Sequence, residues 1–278
     1  MATLLESGMI KFLVVFVAYR KKINEILPLK YFNNLVTDEI EFFIYDNSPD
    51  KAELESLSLN HKFQYYHDAG NGGVSKAYNV AAEYALKNQI EWIVLFDQDT
   101  EVKKGYFPNL KIAIKENPEV KLFVPKVYYN HGVMSPKRCR FFRPQAGELD
   151  YGIHKLNDIA IINSGLVVTT QTFKQCGGYN EDVKLDFSDY QFIERLQSKI
   201  DQFYLFKGEL FQDFSNDETD SQKLFSRFMI YCEGLKNYQT TPFRRLVIIY
   251  TGFLHSLSLM RRTKNSKFIT HFIKSLFR

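Results

Sequence analysis

Asp97 and Asp99 stand one residue apart at the end of the apolar run Trp92–Phe96, in the stretch "WIVLFDQDT". Alternate residues of an extended chain project to the same side, so the two carboxylates can face one point. Such charges repel each other, and taking them out of water is costly without a partner. A divalent cation held by oxygen ligands, Mg²⁺ or Mn²⁺, offsets both penalties. A solvated strand end with an Asp-rich turn would carry the same residues. A second acidic pair, Asp186 and Asp189, lies in "LDFSDYQFIERL". There Ser188 with Gln191 fits a capping box, which predicts a helix starting near Asp189 with Phe192 and Leu196 toward the core. Asp189 would then be a first-turn acid, a position the helix dipole favours.

The elements that must hold these acids read as alternating strands and helices. "FLVVFVAYR" at 12–20 is a continuous apolar run, as in a central strand of a parallel sheet. A helical stretch follows, roughly 21–36. "EFFIYDNSPD" at 41–50 is a second strand ending in Asp46 and a turn. "FQYYHD" at 63–68 is a third. Behind a glycine turn, Val74, Ala77, Ala81 and Ala85 recur at helical spacing. "EWIVLFDQDT" is the fourth strand, and a helix at about 104–116 leads into "VKLFVPKVYY". This order predicts an α/β fold with a doubly wound, mostly parallel sheet and helices on both faces. Ligands of such sheets sit beyond the carboxyl ends of the strands. Tyr19 and Arg20, Asp46, and Asp97 with Asp99 all fall there, which favours the ligand reading of the paired acids.

Other chemistries lack their motifs. No GxGxxG follows the first strand, and no GxxxxGK[ST] occurs anywhere. "GNGG" before a helix is weakly specific and also suits tight backbone packing. The six histidines show no HExxH spacing, and no Ser–His–Asp set emerges. Cys139, Cys176 and Cys232 form no CxxC pair, which suits a reducing compartment. The apolar run near the start is too short for a signal peptide, and no stretch reaches the ~20 apolar residues of a membrane span. A cytoplasmic protein is expected.

The segments "VVFVAYR", "IYDNSPD", "NGGVSKAYNVAAEYA", "LFDQDT", "INSGLVVT", "GGYNEDVKLDFSDYQFIERL" and "LFQDFS" occur in an order and spacing that resemble the family 2 glycosyltransferases of the GT-A fold, within roughly residues 11–235. The rhamnosyltransferase-like branch, which builds bacterial surface polysaccharides, is the most similar. The resemblance implies an inverting transfer from a nucleotide-sugar, dTDP-rhamnose or a UDP-hexose, to a glycan or lipid-linked glycan hydroxyl. It makes Tyr19 part of the segment lining the nucleotide base and Asp46 the acid that bonds base or ribose. Asn71, Gly72 and Gly73 match the loop covering the donor, and Asn79 the polar residue on the next helix. Asp97 and Asp99 match the DxD motif, one binding the metal on the diphosphate and the other ribose or metal-bound water. Asp189 matches the catalytic base, with Asp186 as runner-up. Asn163, Ser164 and Gly165 resemble a loop under sugar and acceptor, although a plain turn fits equally. Many relatives carry a histidine in a "HDFS"-like stretch as a further metal ligand. Here Gln212 stands in its place and Asp213 could supply an oxygen instead. An inactive sugar-nucleotide-binding homologue serving as scaffold is the alternative. A nucleotidyltransferase would need glycines after the first strand that "AYRKKINEI" lacks.

The catalytic domain is expected over 1–235, followed by a basic amphipathic tail over 236–278. Nine basic residues and no acidic one follow Glu233, so the net charge of +4 hides a mildly acidic catalytic part. No nucleic-acid partner is expected; an anionic surface suits the tail. Phe268, Phe272, Ile273, Leu276 and Phe277 among Lys267, Lys274 and Arg278 suit a helix in the interface of the inner face of the cell membrane. A terminal helix packed on the catalytic domain, or on the twin subunit of a homodimer, fits the same pattern.

Overall fold

The structure, a computed structural model, describes residues 10–52, 58–130, 132–140, 143–212 and 220–276. In chain order the first half is β1 (Phe12–Ala18), α1 (Leu27–Asn33), β2 (Ile40–Asp46), β3 (Phe63–His67), α2 (Gly73–Lys87), β4 (Trp92–Asp97), β5 (Glu101–Val102), α3 (Tyr106–Glu116) and β6 (Leu122–Tyr129). Then come β7 (Gly132–Ser135), β8 (Lys137–Arg140), β9 (Arg143–Pro144), β10 (Gly152–Lys155), β11 (Ile159–Ala160), β12 (Val167–Thr169), α4 (Thr170–Gln175), α5 (Ser188–Gln197) and β13 (Gln202–Phe211). Three helices close the chain, α6 (Ser221–Asn237), α7 (Pro242–Thr263) and α8 (Lys267–Leu276).

The main sheet runs β10-β13-β6-β12-β4-β1-β2-β3. β1 pairs in parallel with both β2 and β4, and all seven of its residues are buried. That is what a continuous apolar run means in a sheet covered on both faces. β12 is reversed between β4 and β6. On one face Val15, Val17, Leu95, Ala77, Ala81 and Phe192 form a core under α2, α4 and α5. On the other, Val14, Phe16, Phe42, Phe96 and Leu110 pack under α1 and α3. Burying each Phe contributes roughly 2–3 kcal/mol. Register sets Ala18 opposite Asp46 and Val17 opposite Asp97, so the acids that end β2 and β4 flank the end of β1.

Three expectations change. The helix over 21–36 is a 3-10 turn at Ile23–Glu25 and then the short α1. Pro28 sits in the first turn of α1, where its missing N–H is tolerated but through which no earlier helix can run. The capping box does not form: Ser188 is already helical, and the cap is Phe187 at φ 71° with no side-chain bond. The Ser188 hydroxyl instead donates to the Leu185 carbonyl at 2.6 Å. The tail also packs differently. α6 joins α7 and α8 around Phe228, Cys232, Leu235, Ile248 and Leu259, so the helical unit begins upstream of 236. Phe268 and Phe272 are buried inside it, which removes them from any interfacial face of α8; Phe277 and Arg278 lie outside the described residues. Among the described residues no helix is long and apolar enough to cross a membrane.

Candidate active site

The carboxyl ends of β1, β2 and β4, and the turn that enters the reversed β12, meet at one edge of the sheet. Asp97 ends β4 half-buried. Its backbone N–H donates to Ser164 Oγ at 3.1 Å, and its Oδ1 accepts from the Tyr78 hydroxyl at 3.2 Å. Burial, then the neighbouring Asp99 charge, push the Asp97 carboxyl up to about 6. Gln212 lies beyond the end of β13 with its Nε2 3.4 Å from both Asp97 Oδ2 and Asp99 Oδ1. Its Oε1 is buried without a hydrogen-bond partner. The two ends of a carboxamide are interchangeable by rotation. Turning this one over would give three oxygens converging on one point, which is the donor set of a hard divalent cation. Asp97, Asp99 and Gln212 therefore fit a metal. Among the described residues no cluster of three or more acidic, His or Cys side chains is arranged to do so, and Asp213 lies outside them.

Asp189 sits in the first turn of α5 and reaches the same place. Its Oδ1 accepts from Asn163 Nδ2 at 2.6 Å, and Ser188 Oγ lies 3.1 Å from the same oxygen. Burial, followed by the charge of Asp97, pushes its carboxyl up to about 7. Asn163 is fixed in turn by the Tyr179 hydroxyl, 2.5 Å from its Oδ1. Asp186, by contrast, faces the helical unit and pairs with Arg227 at 3.3 Å. Of the two acids, only Asp189 is joined to the DxD end of the sheet.

The neighbouring loops fall into place unevenly. Tyr19 is exposed, with the Arg20 guanidinium 5.2 Å over its ring. Asp46 is buried, accepting from Ser48 N–H at 2.9 Å and the Tyr65 hydroxyl at 2.7 Å. It borders a cleft of about 760 Å³ that also presents Arg20, Lys21, Lys22 and Ser48. Asn71 is exposed at φ 50°, and Gly73 at φ 83° brings its backbone so near Lys184 that a Cβ would stand 2.5 Å from the Lys184 carbonyl oxygen. Asn79 does not join the site: its amide holds Tyr179 N–H and carbonyl and Glu181 at 2.9–3.0 Å. Gly165 leaves no room for a sugar either, since a Cβ there would lie 2.3 Å from Leu210. In "NSG" the glycine satisfies packing, Ser164 holds the turn through Asp97 N–H and Thr100, and Asn163 reaches Asp189.

Several contributors were not legible in the sequence. Gln98, between the paired acids, accepts the Tyr19 N–H at 2.9 Å and ties the end of β1 to the DxD turn. Asp68 anchors the glycine loop through Gly70 N–H, Gly72 N–H, Lys76 and Tyr45. Its bond with Lys76 draws its carboxyl down to about 2. Tyr78 was the one accessible signal, because a tyrosine on the buried face of a helix needs a partner for its hydroxyl.

The family model for glycosyl transferase family 2 matches residues 30–168, half of the chain, and the chain belongs to that family. The dTDP-rhamnosyl transferase RfbF of Shigella flexneri is 24% identical over 174 residues, which cover 60% of this chain and 58% of that protein. The match thus spans little more than half of that relative's length. S. aureus TarS 1-349 in complex with UDP-GlcNAc superposes with a TM-score of 0.60 at 14% identity, over 96% of this chain and 79% of that one. S. aureus TarS 1-349 alone gives 0.57 at 15% identity, over 96% and 90%. At these identities the likeness is one of fold, the GT-A type.

Proposed function

We propose that this glycosyltransferase moves a sugar, with inversion, from dTDP-rhamnose or a UDP-hexose to a hydroxyl of a glycan or lipid-linked glycan in surface polysaccharide synthesis. The observation that carries the reading is the meeting of Asp97, Asp99 and Asp189 at one sheet edge, with the Asp189 carboxyl raised to about 7 by burial and by Asp97. A base of that strength is suited to taking a proton near neutral pH. Asp189 accepts the proton of the acceptor hydroxyl as its oxygen bonds to the anomeric carbon. The bond from that carbon to the diphosphate breaks, and the nucleoside diphosphate leaves with the electron pair. Asn163 holds the Asp189 carboxylate in position. Tyr19 offers a face to the base, Asp46 and the basic cleft beside it suit the nucleoside and phosphates, and the loop at Asn71–Gly73 would close over the donor. A divalent cation on Asp97, Asp99 and Gln212 would offset the charge that develops on the diphosphate. The likeness to the dTDP-rhamnosyl transferase RfbF supports the rhamnose donor, and that to the TarS complex with UDP-GlcNAc supports a UDP-sugar. A lipid-linked acceptor suits an enzyme held peripherally at the inner face of the cell membrane.

The test is a panel of nucleotide-sugars, scored for thermal stabilisation and for hydrolysis with Mn²⁺ or with EDTA. One donor at 100 times its Kd should stabilise by about 2.7 kcal/mol and be hydrolysed slowly with Mn²⁺. Stabilisation without turnover toward any glycan acceptor would point to the scaffold alternative. Neither effect with any donor would refute the reading.

A further inference from the structure

With Phe268 and Phe272 buried, the longest exposed apolar row of the C-terminal helices lies on α7, while Met229 and Ile230 of α6 and Ile273 of α8 are also exposed. Leu246, Tyr250 and Phe253 are exposed by 67%, 58% and 39%, and Phe243, exposed by 63%, continues the row at its start. Spacings of three and four residues set them along one side of the helix. The opposite side, with Ile248, Gly252, Ser256 and Leu259, is the one buried against α6 and α8. Arg261 follows Tyr250 by three turns on the outward side, and exposed Lys264, Lys267 and Lys274 follow it. Large apolar rows rimmed by polar groups mark interaction sites.

The occupant follows from charge. No carboxylate exists anywhere in α7 or α8, while α7 carries four Arg and α8 two Lys. Arg244 pairs with Glu194 of α5, but two copies joined through α7 would otherwise set Arg against Arg with no acid on either helix to pair them. An anionic lipid surface meets both features, taking the apolar row among its acyl chains and the cations among its headgroups. We infer that the outward face of α7 docks this protein on an anionic lipid surface. The placement also suits the site. Phe243 and Val247 line a cavity of about 270 Å³ whose other wall includes Ile161, Glu194 and Tyr190, the residue after Asp189. A membrane under α7 would lie beside that opening. The inference deepens the peripheral reading given above but is tested with neither donor nor acceptor, so its failure is separate from failure of the transfer reading.

The experiment is flotation of the full chain with phosphatidylcholine vesicles, with or without phosphatidylglycerol. Binding is expected only with the anionic lipid and should weaken as salt rises. Leu246→Glu with Tyr250→Glu should lower partitioning by at least about tenfold, whereas Val36→Glu, in the turn before β2, should leave it unchanged. Melting curves confirm that each variant folds. Should the double variant fail to fold, Arg261→Ala with Lys264→Ala, both exposed, should lower low-salt binding severalfold. Three results would each overturn the inference: no binding to anionic vesicles at low salt, unaltered flotation of the folded variants, or a lipid-free dimer that the apolar variant converts to monomer.

Discussion

Asp189→Asn separates what Asp189 does for the reaction from what it costs the fold. The side chain sits in the site with its carboxyl at about 7 against an ordinary 3.8, displaced by burial and then by Asp97. That displacement of about 3 pH units corresponds to roughly 4 kcal/mol at 1.36 kcal/mol per unit. The sign is set by which state holds the proton. Between 3.8 and about 7 the folded chain keeps it and the unfolded chain has lost it, so stability falls as pH rises through this window. Above about 7 the whole penalty is present. Asparagine carries no charge and still offers an oxygen to Asn163 Nδ2. The variant should therefore match the parent near pH 4 and exceed it at pH 8 by up to roughly 4 kcal/mol, or on the order of 5–10 °C in Tm. Its transfer rate should fall by ~10²–10⁴-fold with donor binding retained. For the parent, kcat/KM should decline below about pH 7 as Asp189 takes up its proton. Calorimetry at the two pH values and transfer assays across the range measure all three. A stability difference independent of pH, or a variant less stable than the parent at pH 8, would refute the placement of a buried charge here. Retained activity, with loss instead in Asp186→Asn, would exchange the two acids' roles.

The metal reading predicts that EDTA stops turnover of the parent and Mn²⁺ restores it, whereas Asp99→Ala stays at least ~10²-fold down under both conditions. Equal turnover of parent, Asp97→Ala and Asp99→Ala in EDTA would remove the metal from the scheme. Gly73→Ala forces φ 83° on a residue with a Cβ and drives that Cβ toward the Lys184 carbonyl. Urea denaturation should show a loss of about 1–3 kcal/mol, and a change below about 0.5 kcal/mol would mean that the glycine loop yields.

The sequence discloses what burial dictates. The runs that became β1, β2 and β4 are apolar throughout because both faces of the sheet are covered, and their terminal acids mark where water returns. Phe192 and Leu196 fall on the core side of α5 as their spacing requires. What stayed hidden depends on contacts between distant residues. A glutamine between two acids gives no sign that it will reach Tyr19. Asn79 has the composition of a ligand residue and becomes a brace because the segment at 179–181 lies across its helix. Ser188 and Gln191 satisfy a local capping rule, but Phe187 takes the cap position and Gln191 turns inward to Asn180. The amphipathic pattern of α8 is real, yet Phe268 meets α6 and Phe272 meets α7, because hydrophobic spacing names a face without naming its partner.

The hydrogen bonds that knit the site join residues far apart along the chain: 79 positions between Tyr19 and Gln98, 67 between Asp97 and Ser164, 115 between Asp97 and Gln212. Closing loops of that length is entropically slow, and little rewards it until the strands between are in place. Asp97 and Asp99 are neighbours from the outset, two positions apart where β4 ends, whereas the groups that surround them come from far along the chain. Gln212 reaches them only once β13 lies beside β6. A nascent chain released before residue 212 would therefore carry the paired acids without the side chain that spans them.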